Sequence, residues 1–304
     1  MIIDMHVHIF EEKMWPKSFL DAIREHKKRI LPEEEYKRYK LEAKIETLIK
    51  DMDEARIDVS VCLPIDFAFM CDEEPEMSIW KANEYVAEAQ DKYPSRIVGF
   101  AGVDPQRPGA VALLEKAVKE WGLKGVKIYA GNFYPTEERI ATFMKKVEDL
   151  NVPVLFHQGT DPHPFAVKYG NPEYLDDLMI KYPRLRIIAA HLARGYEALL
   201  VEWAAYLPNR LWTDVSGWQY QCAYSPWYFF MQMRYLLDRI PNAILMGSDW
   251  PALKFAPLPS NKGWIDLFRN LTLPEGFLAM GMRQFTEEEK EKILGGNARQ
   301  LLNL

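Results

Sequence analysis

Eight short β-rich runs recur along the chain, and helical patterns separate them. The runs are IIDMHVHI (2–9), DVSVCLPI (58–65), RIVGFAGV (96–103), GVKIYA (125–130), VPVLFHQG (152–159), RIIAAHLA (186–193), LWTDVS (211–216) and AILMGSDW (243–250). Amphipathic spacing marks KIETLIKDMDEARI before the second run and KANEYVAEAQDKY before the third. GAVALLEKAVKEWG, TEERIATFMKKVEDL and PEYLDDLMIKY precede the fourth, fifth and sixth. Pro or Gly stands at the helix-to-strand joints KYPSR, EWGLKG, LNVP, KYPRL and RIPNA, where a helix should stop. Alternating β and α with short joints requires a parallel sheet, and eight parallel strands close best as a (β/α)8 TIM barrel. The expected architecture is therefore a single α/β barrel domain over residues 1–304. Residues 10–44, after the first run, exceed a minimal barrel. Helical stretches are expected there around Lys17–Ile30 and Pro32–Ile45, as an insertion suited to act as a lid.

Composition narrows the function. At 48% hydrophobic and 27% charged residues, the chain has ample core material. A formal charge of −6 argues against nucleic acid or an anionic membrane as partner. Cys62, Cys71 and Cys222 show no CxxC spacing, which suits free thiols in a reducing compartment. The first ten residues carry no positive n-region, and the apolar runs fall short of a membrane span. The expectation is a cytoplasmic protein acting on a small molecule, with a homodimer as an open option.

Six histidines occur in the sequence, and four of them sit on the β-rich runs. His6 and His8 alternate with Val7, so both share one face of the first strand. His157 and His191 lie near the ends of the fifth and sixth runs, and Asp249 near the end of the eighth. In a parallel barrel those ends form one ring, so five distant side chains would converge. Neutral imidazoles with one carboxylate are the donor set of a borderline divalent cation.

The run HVH at the first strand, His at the fifth and sixth strand ends and Asp at the eighth resembles the amidohydrolase superfamily. The stretches NEYVAEAQDKYPSRIVGFAGVDPQ, GLKGVKIY, PVLFHQGT, AHLARG, GSDWP and ILGGNARQLLNL are similar to its amidohydrolase-related branch of metal-dependent TIM-barrel hydrolases and decarboxylases. That resemblance implies His6, His8, His157 and Asp249 as ligands of one metal ion, with Zn2+ first and Mn2+ as the other option. It makes His191, with Asp249, the catalytic pair. Alternation turns Lys127 and Tyr129 to the barrel interior. Lys127 is read as the cation for a substrate carboxylate, against a carbamylated lysine bridging a second metal or a structural ion pair. Arg194, His163 and Trp250 are further candidates for substrate binding, while His26 is expected to be solvated. The aromatic stretch GWQYQCAYSPWYFF (217–230) suits pocket lining and helix core or subunit interface equally.

Two reactions suit this set. The first expectation is hydrolysis of an amide, ester or lactone in a small carboxylated molecule, favoured by the GSDWP form of the eighth strand, which resembles sugar-lactone hydrolases of the superfamily. The alternative is non-oxidative decarboxylation on the same ligands. A barrel that binds a ligand without turnover is the third reading.

Overall fold

Aliphatic and β-branched residues dominate each run, and each run yields at least one short parallel strand. The computed structural model describes residues 1–37, 43–160, 166–253 and 257–304. Its strands are β1 (Ile3–Val7), β2 (Val59–Cys62), β3 (Ile97–Gly99), β4 (Ala101–Gly102), β5 (Val126–Ile128), β6 (Val154–Phe156), β7 (Ile187–Ala189), β8 (Leu211–Asp214) and β9 (Ile244–Leu245). β3 and β4 come from the single run RIVGFAGV. It breaks at Phe100, whose N–H donates to Cys62 O at 3.0 Å, while the next N–H, of Ala101, donates to Gly125 O at 2.8 Å. One run thus pairs with β2 through its first half and with β5 through its second.

Every ladder is parallel and joins neighbours in sequence. The last run returns beside the first. Met5 N–H donates to Met246 O (2.9 Å), Asp249 N–H to His6 O (2.9 Å) and His8 N–H to Trp250 O (2.8 Å), with a parallel bridge between Val7 and Trp250. Eight runs in sequence order, with the last bonded to the first, give the topology of a (β/α)8 barrel.

Helices cover the outside through their apolar stripes. Ile45–Ala55 buries Ile45, Leu48, Met52 and Ala55, and ends where Arg56 turns left-handed. Ser78 caps Ile79–Lys92 by accepting from Lys81 N–H, and Ser260 caps Asn261–Arg269 by accepting from Gly263 N–H. Among the described residues, no helix is long and apolar enough to cross a membrane.

The insertion departs from expectation in its second half. Lys17–Ile30 is a helix, but among the described residues between Pro32 and Lys44 only Glu33–Tyr36 is helical, and Ile45 begins the next helix. Residues 38–42 of the expected helix lie outside the described residues. Ala43 exchanges two backbone hydrogen bonds with Phe10 (3.0 and 2.9 Å), an extended pairing that closes the base of the insertion and is incompatible with a helix there.

Candidate metal centre

Alternation along β1 buries Ile3, Met5 and Val7 against the helices and turns Asp4, His6 and His8 the other way. Asp214, fully buried at the end of β8, lies 2.9 Å from His6 Nδ1. A carboxylate can only accept, so His6 carries its proton on Nδ1 and its lone pair on Nε2. His8 is fixed the same way, because Nδ1 faces the carbonyl of Leu63 at 2.7 Å. The two Nε2 atoms then converge on Asp249 Oδ1, at 3.7 Å from His6 and 3.3 Å from His8.

His191 leaves β7 in a turn where His191, Leu192 and Ala193 all have positive φ, a costly run for side chains with a Cβ. The turn is held by His191 N–H donating to Asp214 Oδ1 (3.2 Å) and Trp218 Nε1–H donating to His191 O (3.0 Å). Ser216 Oγ donates to Asp214 and lies 2.7 Å from His191 Nδ1, which therefore bears the proton. His191 Nε2 faces His157 Nδ1 at 3.2 Å. Asp249 also has positive φ, and the turn it begins is tied to Ala252 N–H.

Burial works against charging these imidazoles. Burial, then the nearby Lys127, push His6 down to about 4. Burial, then the neighbouring His6 and His157, hold His191 well below the usual histidine value. Asp249 feels the opposite balance. Burial would raise its carboxyl, but its interactions with His8, His6 and His191 outweigh this and hold it well below the carboxylate range. Asp214 behaves likewise: burial raises it, and the interactions with His6, His191 and Ser216 win. Ionised Asp249 thus demands positive charge at a point where the imidazoles resist carrying it. Two imidazole lone pairs and a carboxylate oxygen aimed at one point satisfy both demands around a divalent cation. Buried partners on the far nitrogens, Asp214 and Leu63 O, are the supports that metal-binding histidines use.

Among the described residues, two groups of three bring donor atoms within 4.8 Å of one another: His6, His8 and Asp249, and His6, His191 and Asp214. His157 belongs to neither. It packs against His191 and stacks on Tyr129 (ring centroids 4.2 Å apart), on the wall of the same cavity.

That cavity holds about 230 Å³ and opens at the strand ends. Rings line one side in sequence. Phe10 stacks on Trp15 (3.8 Å), Trp15 meets Phe19 edge-on (5.3 Å), Phe19 stacks on Phe67 (4.0 Å), and Phe67 meets Tyr129 edge-on (5.2 Å). Lys127 is buried on the floor with Nζ 3.5 Å from His6 Nε2. Arg194 reaches the cavity over the ring of Tyr220 and donates to Thr160 O at 2.6 Å. Of the aromatic stretch 217–230, Tyr220 lines the cavity, Phe229 is core, and Tyr224 and Trp227 are exposed.

Three sequence-based assignments require correction or stand outside the described structure. Trp250 is buried away from the cavity, its indole N–H donating to Asp51 at 2.7 Å, because its backbone is bonded to β1 and turns the ring outward. His26 is not simply solvated: it lies on the inner face of the helix Lys17–Ile30 and lines the cavity, where burial lowers its pKa. His163 falls in 161–165, outside the described residues.

Four contributors were missed. Asp4, whose carboxyl burial raises to about 7, accepts from Ser248 N–H (2.9 Å) and His6 N–H (3.2 Å), and so joins the turn of Asp249 to β1. The pattern Asp-x-His-x-His placed it on the histidine face. Asp214 stood in LWTDVS as a carboxylate inside an apolar run, the same signal that singled out Asp249. Ser216 sits two residues further on that face. Lys27 gave no signal until the helix phase was known.

A family model for amidohydrolases matches residues 3–304. The chain belongs to the amidohydrolase family. A gamma-resorcylate decarboxylase from Polaromonas sp. is 24% identical over 270 residues, 74% of this chain and 76% of that protein. Among solved structures, a dihydroxybenzoic acid decarboxylase from Polaromonas sp. with bound manganese and the inhibitor 2-nitroresorcinol superposes with a TM-score of 0.69 at 18% identity, covering 100% of this chain and 97% of that one. A probable 2-pyrone-4,6-dicarboxylic acid hydrolase from Acinetobacter baumannii gives 0.65 at 18%, covering 100% and 99%. Amidohydrolase-family barrels thus include both reaction types expected from the sequence, and the matched curated relative is a decarboxylase.

Proposed function

We propose that this amidohydrolase-family chain is a metal-dependent, non-oxidative decarboxylase of a small aromatic acid. One observation carries the reading: a slot walled by Phe10, Trp15, Phe19, Phe67 and Tyr129 leads directly to the His6–His8–Asp249 cluster. Stacked and edge-on rings select a flat, apolar ring over a flexible chain. The decarboxylase relatives support this choice over hydrolysis, which was the first expectation.

His6, His8 and Asp249 would hold the cation, with His157 as the further ligand of the family pattern. A divalent ion there, Mn2+ or Zn2+, supplies Lewis acidity toward the substrate's oxygens. The chain's own residues do the rest. Lys127, buried on the cavity floor, would face the substrate carboxylate. Asp249, ionised at rest, takes the proton of a ring hydroxyl of the substrate and delivers it to the ring carbon bearing the carboxylate. The bond to the carboxylate then breaks, its electron pair restores the ring, and carbon dioxide leaves. His191 presents an imidazole to the charge that develops on the ring oxygens. The aromatic wall excludes water from this exchange.

The first substrate to test is 2,6-dihydroxybenzoate, with Mn2+-loaded protein in buffer containing oxygen-18 water. Carbon dioxide released one-for-one with resorcinol supports the proposal. A product that gains solvent oxygen from an ester or lactone, with no gas released from a panel of benzoic acids, would establish hydrolysis instead.

A further inference from the structure

The turn that presents His191 to the cavity presents a cation as well. His191, Leu192 and Ala193 all have positive φ, and they bring the chain back so that Arg194 N–H donates to His191 O at 3.0 Å. Such a run persists only where its surroundings hold it. Here the loop after β6 does the holding. Thr160 N–H donates to Arg194 O (3.0 Å), Arg194 Nη2 donates to Thr160 O (2.6 Å), and a Cβ on Gly159 would meet Arg194 N at 2.6 Å. The guanidinium also lies over the ring of Tyr220, 5.6 Å from its centroid. Its head is thus seated on the cavity wall before any ligand arrives.

Neither contact neutralises it: one is a carbonyl, the other the face of a ring. Among the described residues no carboxylate forms an ion pair with Arg194, and one of its five N–H donors has an acceptor. Asp249, the one carboxylate among the described lining residues, is engaged with His6 and His8. A planar fork with donors to spare matches a carboxylate through two parallel hydrogen bonds, and its fixed position reduces the ordering cost of binding. Lys127 rises from β5 and Arg194 follows β7, two strands apart, about 10 Å across the sheet. Two cations reaching in from strands that far apart suit a flat ring with an acid group on each of two sides.

We infer that Arg194 is a specificity-determining residue that receives a second carboxylate, so that the preferred ligands of this cavity are aromatic dicarboxylates. This rests on the functional reading above, which sets the first carboxylate beside Lys127. The bond from Arg194 to Thr160 O also gives it a structural role. Loosening that loop alone would weaken monocarboxylates and dicarboxylates alike, so the ratio of their affinities separates recognition from packing.

Calorimetric titration of the Mn2+-loaded full chain with benzoate, isophthalate and terephthalate measures that ratio. At least one of the two dicarboxylates binds the wild type about tenfold or more tightly than benzoate, the gain expected of one charge-assisted contact. Arg194→Gln reduces the ratio to about threefold or less. Arg194→Lys, which keeps the charge and loses the fork, falls between the two. Arg194→Met, which keeps the aliphatic stem, repeats the reading if the Gln variant does not fold. Dicarboxylates bound no more tightly than benzoate by the wild type, or an undiminished ratio in a folded uncharged variant, overturn the inference. Because the readout is binding, a failure to release carbon dioxide would refute the decarboxylase reading without touching this result.

Discussion

Asn in place of Asp214 is the sharpest test of how the metal centre is held. Asp214 Oδ2 accepts from His6 Nδ1–H at 2.9 Å, and Oδ1 accepts from the backbone N–H groups of His191 (3.2 Å) and Ser216 (3.0 Å). The first bond fixes the His6 tautomer, which leaves the Nε2 lone pair 3.7 Å from Asp249 Oδ1. Asn is nearly isosteric but uncharged, and its amide can turn an N–H toward His6. The ring would then move its proton to Nε2, the atom that must ligate. A charge-assisted hydrogen bond contributes about 1.5–3 kcal/mol against roughly 1 for a neutral one, and the tautomer cost adds to the difference. A loss of about 1.4–2.7 kcal/mol in metal binding follows, a 10- to 100-fold weaker affinity.

The assay is competition for Mn2+ between the protein and a calibrated chelator near neutral pH, alongside thermal melts to confirm folding. Asp51→Asn is the control. It removes the charge of the Trp250 indole's acceptor, outside the cavity, and should leave the affinity within about twofold. A folded Asp214→Asn protein that binds Mn2+ as tightly as the wild type would refute the tautomer argument and, with it, the place of His6 in the ligand set.

Further outcomes follow from other buried groups. Gly247→Ala places a methyl 3.1 Å from His6 Cβ, 3.1 Å from Ser216 Cβ and 3.2 Å from Asp214 Oδ1, so chemical denaturation should show a loss of about 1–3 kcal/mol with weaker metal binding. Glu289, bonded to Arg234 and Arg283, titrates near 2: burial raises it, but those guanidinium bonds prevail. Its folded pKa is depressed from 4.5, so its stabilisation of about 3 kcal/mol is complete above that value and fades as pH falls toward 2. Arg234→Met should remove most of that acid dependence in urea titrations and cost about 3 kcal/mol at neutral pH. Asp104 has the opposite sign, since burial raises its pKa from 3.8 to about 7. Folding holds its proton between those values while the unfolded chain releases it, so stability falls as pH rises from 4 to 7 and then levels. Asp104→Asn should therefore stabilise the fold above pH 7, by at most about 4 kcal/mol, with no gain near pH 4. A gain that persists at pH 4 would assign the effect to packing.

The order of strands was legible because period-two and helical patterns alternate without a break, and a parallel sheet leaves few ways to connect them. His6, His8 and Asp249 were legible for the same reason, since strand phase and strand end fix a side chain's direction. His157 shows where this reasoning stops. Its strand end was identified, but its ring rotates toward His191 and Tyr129, and a side-chain torsion is not written in a hydrophobic pattern. Trp250 shows the same limit for the residue after a strand: Asp249 beside it faces the cavity, so the next ring turns the other way, toward Asp51, and nearness in sequence to a site residue does not set direction. Lys27 and His26 were hidden differently. Half of their helix is charged, and the burial of Phe19, Leu20 and Lys27 reveals which side faces the barrel.

Closing the barrel and assembling the metal centre use the same contacts. Asp249 N–H donates to His6 O, Ser248 N–H donates to Asp4, 244 residues away in sequence, and Gly247 lies against His6, Ser216 and Asp214. The run that seals the ring of strands is therefore also the run that delivers the carboxylate to the imidazoles. An ion bound by His6, His8 and Asp249 bridges the first strand to the last, so its binding energy opposes opening at that seam specifically. Metal should thus protect the amides of Met5, His8 and Asp249 from hydrogen exchange far more than those between β5 and β6, which no proposed ligand spans except through His157.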